Sequence, residues 1–159
     1  MKGNEPVDLT ITDENDSELK AIETSVEMLK YLSETRSYGV PMPDKIIFRV
    51  ENDGWLIGEA SLKSIRWFNR KAEVSLYLIP EAHGKGLAMA AMKKLIDYAF
   101  NQLHLYRLEA EIIEYNSKSA RLAENLGFVK EGTLREAKFY NGRYYDIIRY
   151  GLLKKEYCQ

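Results

Sequence analysis

The sequence predicts a single domain of the α/β or α+β class, in which one layer of β-sheet carries packed helices. Three observations indicate this class: strand-like runs recur along the chain, three segments have helical character, and the pairs Asp53-Gly54 and Asn141-Gly142 mark two hairpins. With 159 residues the chain fits one domain that buries a substantial core, so residues 1–159 are expected to form one domain.

Composition and charge exclude several classes of protein. Apolar residues make up 45% of the chain and charged residues 30%, and a net charge of −1 gives no basic surface that would indicate a nucleic-acid partner. No apolar stretch reaches the roughly 18 residues of a membrane span, and the N-terminus lacks a signal-peptide core. A lone Cys158 and two histidines give no disulfide framework and no metal site. We therefore expect a cytoplasmic protein with no metal, membrane or nucleic-acid partner, and a homodimer is left open.

The first half of the chain is expected to hold a helix followed by antiparallel strands. Residues 9–12 are a candidate short strand. Residues 13–34 predict an amphipathic helix with an acidic start, because apolar residues recur at helical spacing; these are Leu19, Ile22, Val26, Leu29 and Leu32. Prolines within residues 37–43 end this helix. Strands are then predicted at 46–50, 55–62 and 71–79, with tight connections at 51–54 and 66–70.

The second half predicts alternating helices and strands after a glycine-containing loop. That loop precedes a helix at 87–103, whose apolar residues recur every four positions. Residues 106–115 alternate as a strand, and residues 117–126 fit a short helix that Gly127 ends in the C′ position. The remaining strands flank Asn141-Gly142 as a hairpin.

The loop between strand 71–79 and the helix at 87–103 contains Gly84 and Gly86. Backbone N–H groups at a helix N-terminus form a ready site for an anion, and glycine lets the backbone approach a ligand closely. Lys85 adds a mobile positive charge, although a plain strand-to-helix turn is the alternative. A Walker A motif is rejected because it requires a lysine after its last glycine, whereas Leu87 follows Gly86. A dinucleotide fingerprint is also rejected, because its third glycine would fall at Met89 and it normally opens a parallel chain of strands.

Two motifs and the end of the chain resemble those of a known family. Residues 83–88, HGKGLA, are similar to a pyrophosphate loop R/Q-x-x-G-x-G/A, with His83 where Arg or Gln is usual. Residues 116–128, NSKSARLAENLGF, are similar to an N-x-x-[SA]…L-G-F segment. Both motifs resemble the GNAT superfamily of acyl-CoA N-acyltransferases, and residues 127–153 resemble its RimJ/RimL-like branch, which includes ribosomal-protein N-terminal and spermidine acetylases. The resemblance implies a mixed, mostly antiparallel twisted sheet with helices on both faces.

The resemblance also implies acetyl transfer from acetyl-CoA, as co-substrate, to an amine-bearing acceptor. The pyrophosphate is expected on the loop, and the pantetheine arm beside the end of strand 71–79 and the helix after Asn116. The implied contacts of acetyl-CoA are Tyr77, Leu78, Ile79, His83, Gly84, Lys85, Gly86, Leu87, Ala88, Asn116 and Ser119. An asparagine directly before a helix is also an ordinary N-cap, so Asn116 has a structural alternative.

Glu73 is the candidate general base. An amine attacks a thioester only when neutral, yet alkyl amines are protonated at neutral pH, so the site needs a proton acceptor. Glu73 occupies the position at which several members of the family carry a glutamate base, and strand alternation places it on one face with Ser75 and Tyr77. The alternative is a solvated side chain paired with Arg70 or Lys71.

The position at which many family members carry a thiolate-protonating tyrosine holds Ala123. Ser119, one helical turn earlier on the same face, is the candidate acid in its place, with Tyr115 and Tyr140 as alternatives. A serine in a first helical turn is also a capping residue. Catalysis without a dedicated acid is a further alternative, because a thiolate is a good leaving group at neutral pH.

The acceptor is expected over the first helix and the final hairpin, with Tyr31, Tyr140 and Tyr144 among its contacts. Acidic residues at the start of the first helix suit a polyamine or a basic N-terminus, but they also complement the helix dipole. Three functions stay open: an N-acetyltransferase, a CoA-binding module that has lost catalysis, which the alanine at 123 favours, and a nucleotide-binding or structural domain.

Overall fold

A six-stranded sheet forms the frame of the larger of two units in the chain. The computed structural model describes residues 13, 15–23, 25, 28, 30–31 and 42–157. The chain divides into the compact units Met1–Gly39 and Val40–Gln159. Within the described residues, no helix has both the length and the apolar character needed to cross a membrane.

The helix α1 of the first unit spans Ser17–Glu23. Asp16 caps it, because its Oδ1 accepts hydrogen bonds from the N–H groups of Glu18, at 3.0 Å, and Leu19, at 3.1 Å. The predicted helix is confirmed over this span. Its later apolar positions 26, 29 and 32 lie outside the described residues, as do the candidate strand 9–12 and Cys158.

The sheet of the second unit is mixed and mostly antiparallel, as predicted. Its strands are β1 Ile46–Asn52, β2 Trp55–Arg66, β3 Lys71–Leu78, β4 Arg107–Ile113, β5 Val129–Tyr140 and β6 Arg143–Leu153. Their order in space is β1-β2-β3-β4-β6-β5. β3 and β4 are parallel, whereas the other neighbouring pairs among these strands are antiparallel.

Helices connect and cover the strands. A short 3₁₀ turn, Pro80–Ala82, follows β3, and α2, Leu87–Asp97, continues into a π-helical turn, Tyr98–Gln102. This segment is the crossover that a parallel pair of strands requires. Later come α3, Ser117–Asn125, and α4, Lys154–Tyr157.

The hydrophobic core lies between one face of the sheet and the helices of this unit. Leu62 and Leu108 of the sheet are fully buried, as are Ile96 of α2 and Phe100 of the π-helical turn. α3 and α4 contribute to the same core, so the helices of this unit share one face of the sheet. Since α1 belongs to the other unit, the predicted helix layer on the opposite face stays a prediction.

Both predicted hairpins are confirmed by their turn geometry. Asp53 and Gly54 have φ of 50° and 79°, and Asn141 and Gly142 have φ of 48° and 80°. Positive φ at both central residues is the type I′ pattern, whose twist matches that of the flanking strands. These turns fix the register of β1 with β2 and of β5 with β6.

Candidate active site

The parallel strands β3 and β4 separate partway along their length. Their pairing ends at Glu73 opposite Glu109, although β3 continues to Leu78 and β4 to Ile113. Beyond this point β3 stays paired with β2, and β4 stays paired with β6. Each strand follows its outer neighbour, so a gap opens in the sheet beyond Glu73; we call it the β3–β4 gap.

Leu78 presents its backbone to the β3–β4 gap. The N–H of Ile79 donates to the carbonyl of Ile57 in β2, at 2.8 Å. Successive residues of a strand direct their backbone groups to opposite edges, so the N–H of Leu78 faces the gap, and that of Tyr77 faces β2. The carbonyl of Leu78 accepts a hydrogen bond from His83 Nε2, at 3.0 Å. Of the three residues predicted to line the pantetheine arm, only Leu78 therefore directs its N–H to the gap.

The glycine loop ends at the N-terminus of α2. Gly84 and Gly86 have φ of 74° and 75°, a conformation that side chains with a Cβ rarely adopt. Gly86 is the N-cap of α2, and no side chain caps the helix. A Cβ built on either glycine meets no other atom within 4 Å, so the space beside the loop is open. Uncapped N–H groups facing open space fit an anionic group such as a pyrophosphate.

Glu73 lies on the sheet face opposite the core, as strand alternation predicts. Its neighbours Ala72 and Val74 point into the core and are 1% and 6% exposed. Lys71, one of its suggested partners, instead approaches Glu109 Oε1 at 3.5 Å. Within the described part of the chain, no ion pair uses the Glu73 carboxylate. Among the described residues, this carboxylate lies without an ion-pair partner at the start of the β3–β4 gap.

The surroundings of Glu73 favour its protonated form. Burial raises the pKa of the Glu73 carboxyl most, and repulsion from Glu111 raises it further. Attraction to Lys63 and Arg149 opposes this effect and repulsion from Glu109 adds to it, with a net upward shift in the pKa. A carboxylate whose pKa is raised toward the working pH is better suited to accept the proton of an amine.

Two arginines link the other carboxylates of this face. Arg107 Nε lies 2.8 Å from Glu109 Oε1, and Arg107 Nη2 pairs with Glu131. Arg149 Nε lies 3.3 Å from Glu111 Oε1, and Arg149 Nη2 lies 4.0 Å from Glu109 Oε2. The face beside Glu73 is therefore a partly exposed network of alternating charges that joins β4, β5 and β6.

The N-terminus of α3 carries the second predicted co-substrate contact. Asn116 is its N-cap, since its side-chain oxygen accepts from the N–H of Ser119 at 3.2 Å. The capping role of Asn116 is thus present, and its contact with acetyl-CoA stays a prediction. Ser119 is partly buried in the first turn. Ala123 is 7% exposed and belongs to the core, so it contributes no polar group.

The two tyrosines of the final hairpin that are predicted to contact the acceptor are not brought together. Tyr31 lies in the first unit and is 76% exposed. In the final hairpin, Tyr140 pairs with Arg143, and Tyr144 pairs with Phe139. Paired residues share a face and successive residues alternate, so Tyr140 and Tyr144 point to opposite faces of the hairpin.

An open cleft of about 360 Å³ lies between the final hairpin and the connection from β4 to α3. Its lining residues are Glu114, Tyr115, Arg143, Tyr144 and Tyr145. The ring of Tyr115 meets that of Tyr145 edge-on at 4.9 Å, and the Arg143 guanidinium lies 4.5 Å from the centre of the Tyr145 ring. Tyr144 therefore lines a concave surface beside α3, whereas Tyr140 is not among the lining residues.

Sequence reasoning missed the charged residues that share the sheet face of Glu73. Arg107, Glu109 and Glu111 are the polar positions of an alternating strand, and this pattern equally fits a solvated face. The signal that could have found them is the density of charge on this strand, with three charged residues at alternate positions. Their proximity to Glu73 depends on the parallel pairing of β3 and β4, which no local pattern specifies.

Comparison with known proteins identifies a family model and close relatives. The model described as an acetyltransferase (GNAT) domain matches residues 7–148. The Bacillus subtilis protein YdaF, whose name marks it as a proposed ribosomal N-acetyltransferase, is 41% identical over 105 residues, covering 66% of this chain and 57% of YdaF. The spermidine N(1)-acetyltransferase of Vibrio cholerae is 38% identical over 102 residues, covering 64% of this chain and 59% of that protein. The chain thus spans less than two thirds of the length of either relative.

A solved structure shares the fold at similar identity. Mutant forms of the spermidine/spermine N-acetyltransferase SpeG from Vibrio cholerae match with a TM-score of 0.71 and 36% identity, covering 73% of this chain and 70% of that one. At this identity the match supports common descent as well as a common fold.

Proposed function

Because the chain belongs to the acetyltransferase (GNAT) domain family, we propose that it is an N-acetyltransferase that transfers an acetyl group from acetyl-CoA to a primary amine by direct attack on the thioester. The observation that carries the proposal is the β3–β4 gap, which starts at Glu73, a carboxylate without an ion-pair partner among the described residues, and runs along β3 toward the glycine loop. The family match spans both units, which supports treating residues 1–159 as one acyltransferase domain.

The glycine loop and the end of β3 hold the co-substrate in this proposal. Acetyl-CoA supplies a thioester whose thiolate is a good leaving group. Backbone N–H groups of residues 83–88 bind the pyrophosphate, and the exposed Lys85 adds a positive charge. The N–H of Leu78, directed at the gap, is the donor best placed to stabilise negative charge on the thioester oxygen during attack.

Glu73 accepts the proton of the attacking amine, directly or through water. The amine nitrogen forms a bond to the thioester carbon, the carbon–sulfur bond breaks, and the released proton resides on Glu73 before it passes to solvent. The raised pKa of Glu73 brings its basicity closer to that needed at neutral pH. Its place at the start of the gap puts it on the acceptor side of the thioester rather than at the pyrophosphate.

Protonation of the leaving thiolate is assigned to Ser119, in the first turn of α3. Tyr115 is a weaker candidate because its ring packs against Tyr145 in the cleft. Ala123 is buried in the core and cannot donate a proton. A thiolate leaves readily without an acid at neutral pH, so we expect removal of the Ser119 hydroxyl to have a smaller effect than removal of the base.

The acceptor approaches from the side of the final hairpin. The names of the relatives point to a polyamine and to a ribosomal acceptor, and an amine of either kind fits a site with a carboxylate base. Tyr144 lines the cleft and Tyr140 lies on the other face of the hairpin. Tyr144→Ala is therefore expected to change the acceptor KM more than Tyr140→Ala, with little change in the KM for acetyl-CoA.

A second candidate function is a CoA-binding module without catalysis. The buried alanine at 123, where many family members carry a tyrosine acid, is the observation that favours it. This alternative predicts binding of acetyl-CoA without turnover of any amine.

The test is thiol release from acetyl-CoA with a panel of spermidine, short peptides with free N-termini and small primary amines. We expect turnover with at least one class, and a drop of about 100- to 10,000-fold in Glu73→Gln. A control is Glu51→Gln, which also removes a strand carboxylate, but one that pairs with Arg49, at 2.9 Å, in the edge strand β1. If the protein binds acetyl-CoA but no amine of the panel releases thiol, the CoA-binding module is favoured. If the protein does not bind acetyl-CoA either, both the acetyltransferase and the CoA-binding module are excluded.

A further inference from the structure

Charged side chains from β2, β3, β4 and β6 share the sheet face of Glu73. They are Lys63 of β2, Lys71 of β3, Arg107, Glu109 and Glu111 of β4, and Arg149 of β6. Lys63 stands directly opposite Glu73 in the register of β2 and β3, yet its Nζ donates to Ser75 Oγ, at 3.0 Å. The cation nearest in register therefore does not pair with Glu73.

The two carboxylates of β4 differ in how far their charge is compensated. Glu109 lies within 4.0 Å of nitrogens from Lys71, Arg107 and Arg149. Burial by itself would raise the pKa of Glu109, but the hydrogen bond from Arg107 and the attraction of the cations lower it overall. Glu109 thus carries a charge that is largely neutralised where it lies.

Glu111 has fewer cationic neighbours than Glu109 among the described residues. Among the described residues its ion-pair partner is Arg149, whose Nε lies 3.3 Å from Oε1, and the Arg149 side chain is 46% exposed. Glu111 follows Glu109 by two positions, so it faces the same side of the sheet, next to the point where β3 and β4 separate. A partly compensated carboxylate is thus fixed beside the start of the gap.

We propose that Glu111 makes Glu73 a stronger base and that Arg149 limits this effect, both by holding and partly neutralising Glu111 and by its own positive charge. Both are positioning residues, since they act through Glu73 and not on the substrate. The inference rests on the proposed function for its effect on turnover. The electrostatic coupling itself can be measured without turnover. The direction of each influence on the pKa of Glu73 agrees with this assignment.

The experiment measures the titration of Glu73 and the pH profile of turnover in the same variants. The Glu73 side-chain carboxyl signal is followed by NMR in uniformly ¹³C-labelled protein and assigned with Glu73→Gln. In Glu111→Gln the loss of repulsion lowers the pKa of Glu73, and in Arg149→Gln the loss of attraction raises it. Glu51→Gln removes a carboxylate paired with Arg49 in the edge strand and leaves the titration unchanged.

In the pH profile of kcat/KM, the acid limb is expected to shift with the pKa of Glu73. It should move to lower pH in Glu111→Gln and to higher pH in Arg149→Gln. An unchanged Glu73 titration in Glu111→Gln, or shifts of the same sign in both variants, overturns the inference whether or not the protein turns over. Opposite titration shifts with an unmoved acid limb uphold the coupling and instead overturn the role of Glu73 as base. A purely structural role for the Arg149–Glu111 pair predicts lower stability in both variants without opposite shifts.

Discussion

Glu73 is a half-buried carboxylate that faces two others and has no direct ion-pair partner among the described residues. Burial of a charged group without a partner opposes folding, and repulsion from like charges adds to this. Such strain is common at catalytic positions, where basicity is needed more than stability. At the scale of one residue, the same surroundings that favour a role as base therefore predict a penalty on stability.

We expect Glu73→Gln to raise the thermal unfolding temperature at pH 7. The pKa of Glu73 is raised in the folded state, so its contribution to stability is present below the unfolded-state pKa and is lost as the pH rises through the folded-state pKa. Glutamine cannot ionise. The rise in Tm should therefore be complete above the folded-state pKa of Glu73 and should vanish below about pH 4, under the ordinary glutamate pKa. The measurement is Tm against pH for both proteins. A lower Tm for the variant at pH 7, with the fold intact, would contradict this prediction.

The orientation of Glu73 could be predicted from the sequence, whereas its neighbours could not. Alternation within one strand fixes the face of Glu73 between Ala72 and Val74, and this depends only on local residues. The approach of Glu111 and Arg149 depends on which strands pair and in what register. Those pairings are set by contacts between distant parts of the chain, so no window of sequence around Glu73 contains them.

At the scale of elements, the glycine loop combines a conformational and a steric requirement. Gly86 has φ of 75°, and a Cβ there meets no atom of the protein within 4 Å. A substitution therefore strains the backbone but clashes with nothing in the chain. Any additional loss of function must arise from whatever occupies the open space beside the loop. The sequence predicted the loop because the glycine spacing between a strand and a helix is local.

Gly86→Val is expected to abolish binding of acetyl-CoA in a folded protein. The matched control is Gly54→Val, because Gly54 has φ of 79° and open space around its Cβ but lies in the β1–β2 turn. Both variants should lose roughly 1–2 kcal/mol to backbone strain, and only Gly86→Val should lose affinity for acetyl-CoA in calorimetry. If Gly86→Val binds acetyl-CoA as tightly as Gly54→Val does, the loop does not hold the pyrophosphate.

Gly151 in β6 makes room for an ion pair that crosses from β4 to β5. A Cβ at Gly151 would lie 2.6 Å from Glu131 Cδ and 2.8 Å from Arg107 Nη2. Gly151→Ala should therefore displace the Arg107–Glu131 pair and destabilise the protein by about 1 kcal/mol. This value is at the low end for an overpacked site because both side chains can move. Gly132→Ala, in β5 with open space, is the control. In chemical denaturation, Gly151→Ala should have a smaller effect in a Glu131→Ala background; an equal effect would exclude the clash as the cause.

At the scale of the whole molecule, the order of elements and the mostly antiparallel sheet were predictable from the sequence. Turn residues and periodicity mark each element locally, and hairpins pair neighbouring segments. The β3–β4 gap and the cleft were not predictable, because each arises where elements distant in sequence diverge or approach. One end of the gap is the glycine loop, which a local sequence pattern predicts. The other end is Glu73, whose charged neighbours come from β2, β4 and β6 and depend on strand pairing.

Ligand binding should therefore stabilise the second unit as a whole. The loop connects β3 to α2, and both elements contribute to the core, so a ligand held there binds the folded state and not the unfolded chain. Acetyl-CoA at 100 times its Kd should add about 2.7 kcal/mol to the free energy of unfolding. For a chain of this size that corresponds to a rise in Tm of about 5–10 °C. Thermal unfolding with and without acetyl-CoA measures it directly.

The variants separate the functions that the sequence left open. Glu73→Gln should keep the full rise in Tm, because it removes a base and not a contact with the co-substrate, whereas Gly86→Val should show none. ATP at the same concentration serves as the control ligand, since it also presents phosphates to a helix N-terminus but has no pantetheine arm to lie along β3. A rise with ATP that equals the rise with acetyl-CoA would mean that the loop recognises phosphate alone, and that the β3–β4 gap plays no part in binding.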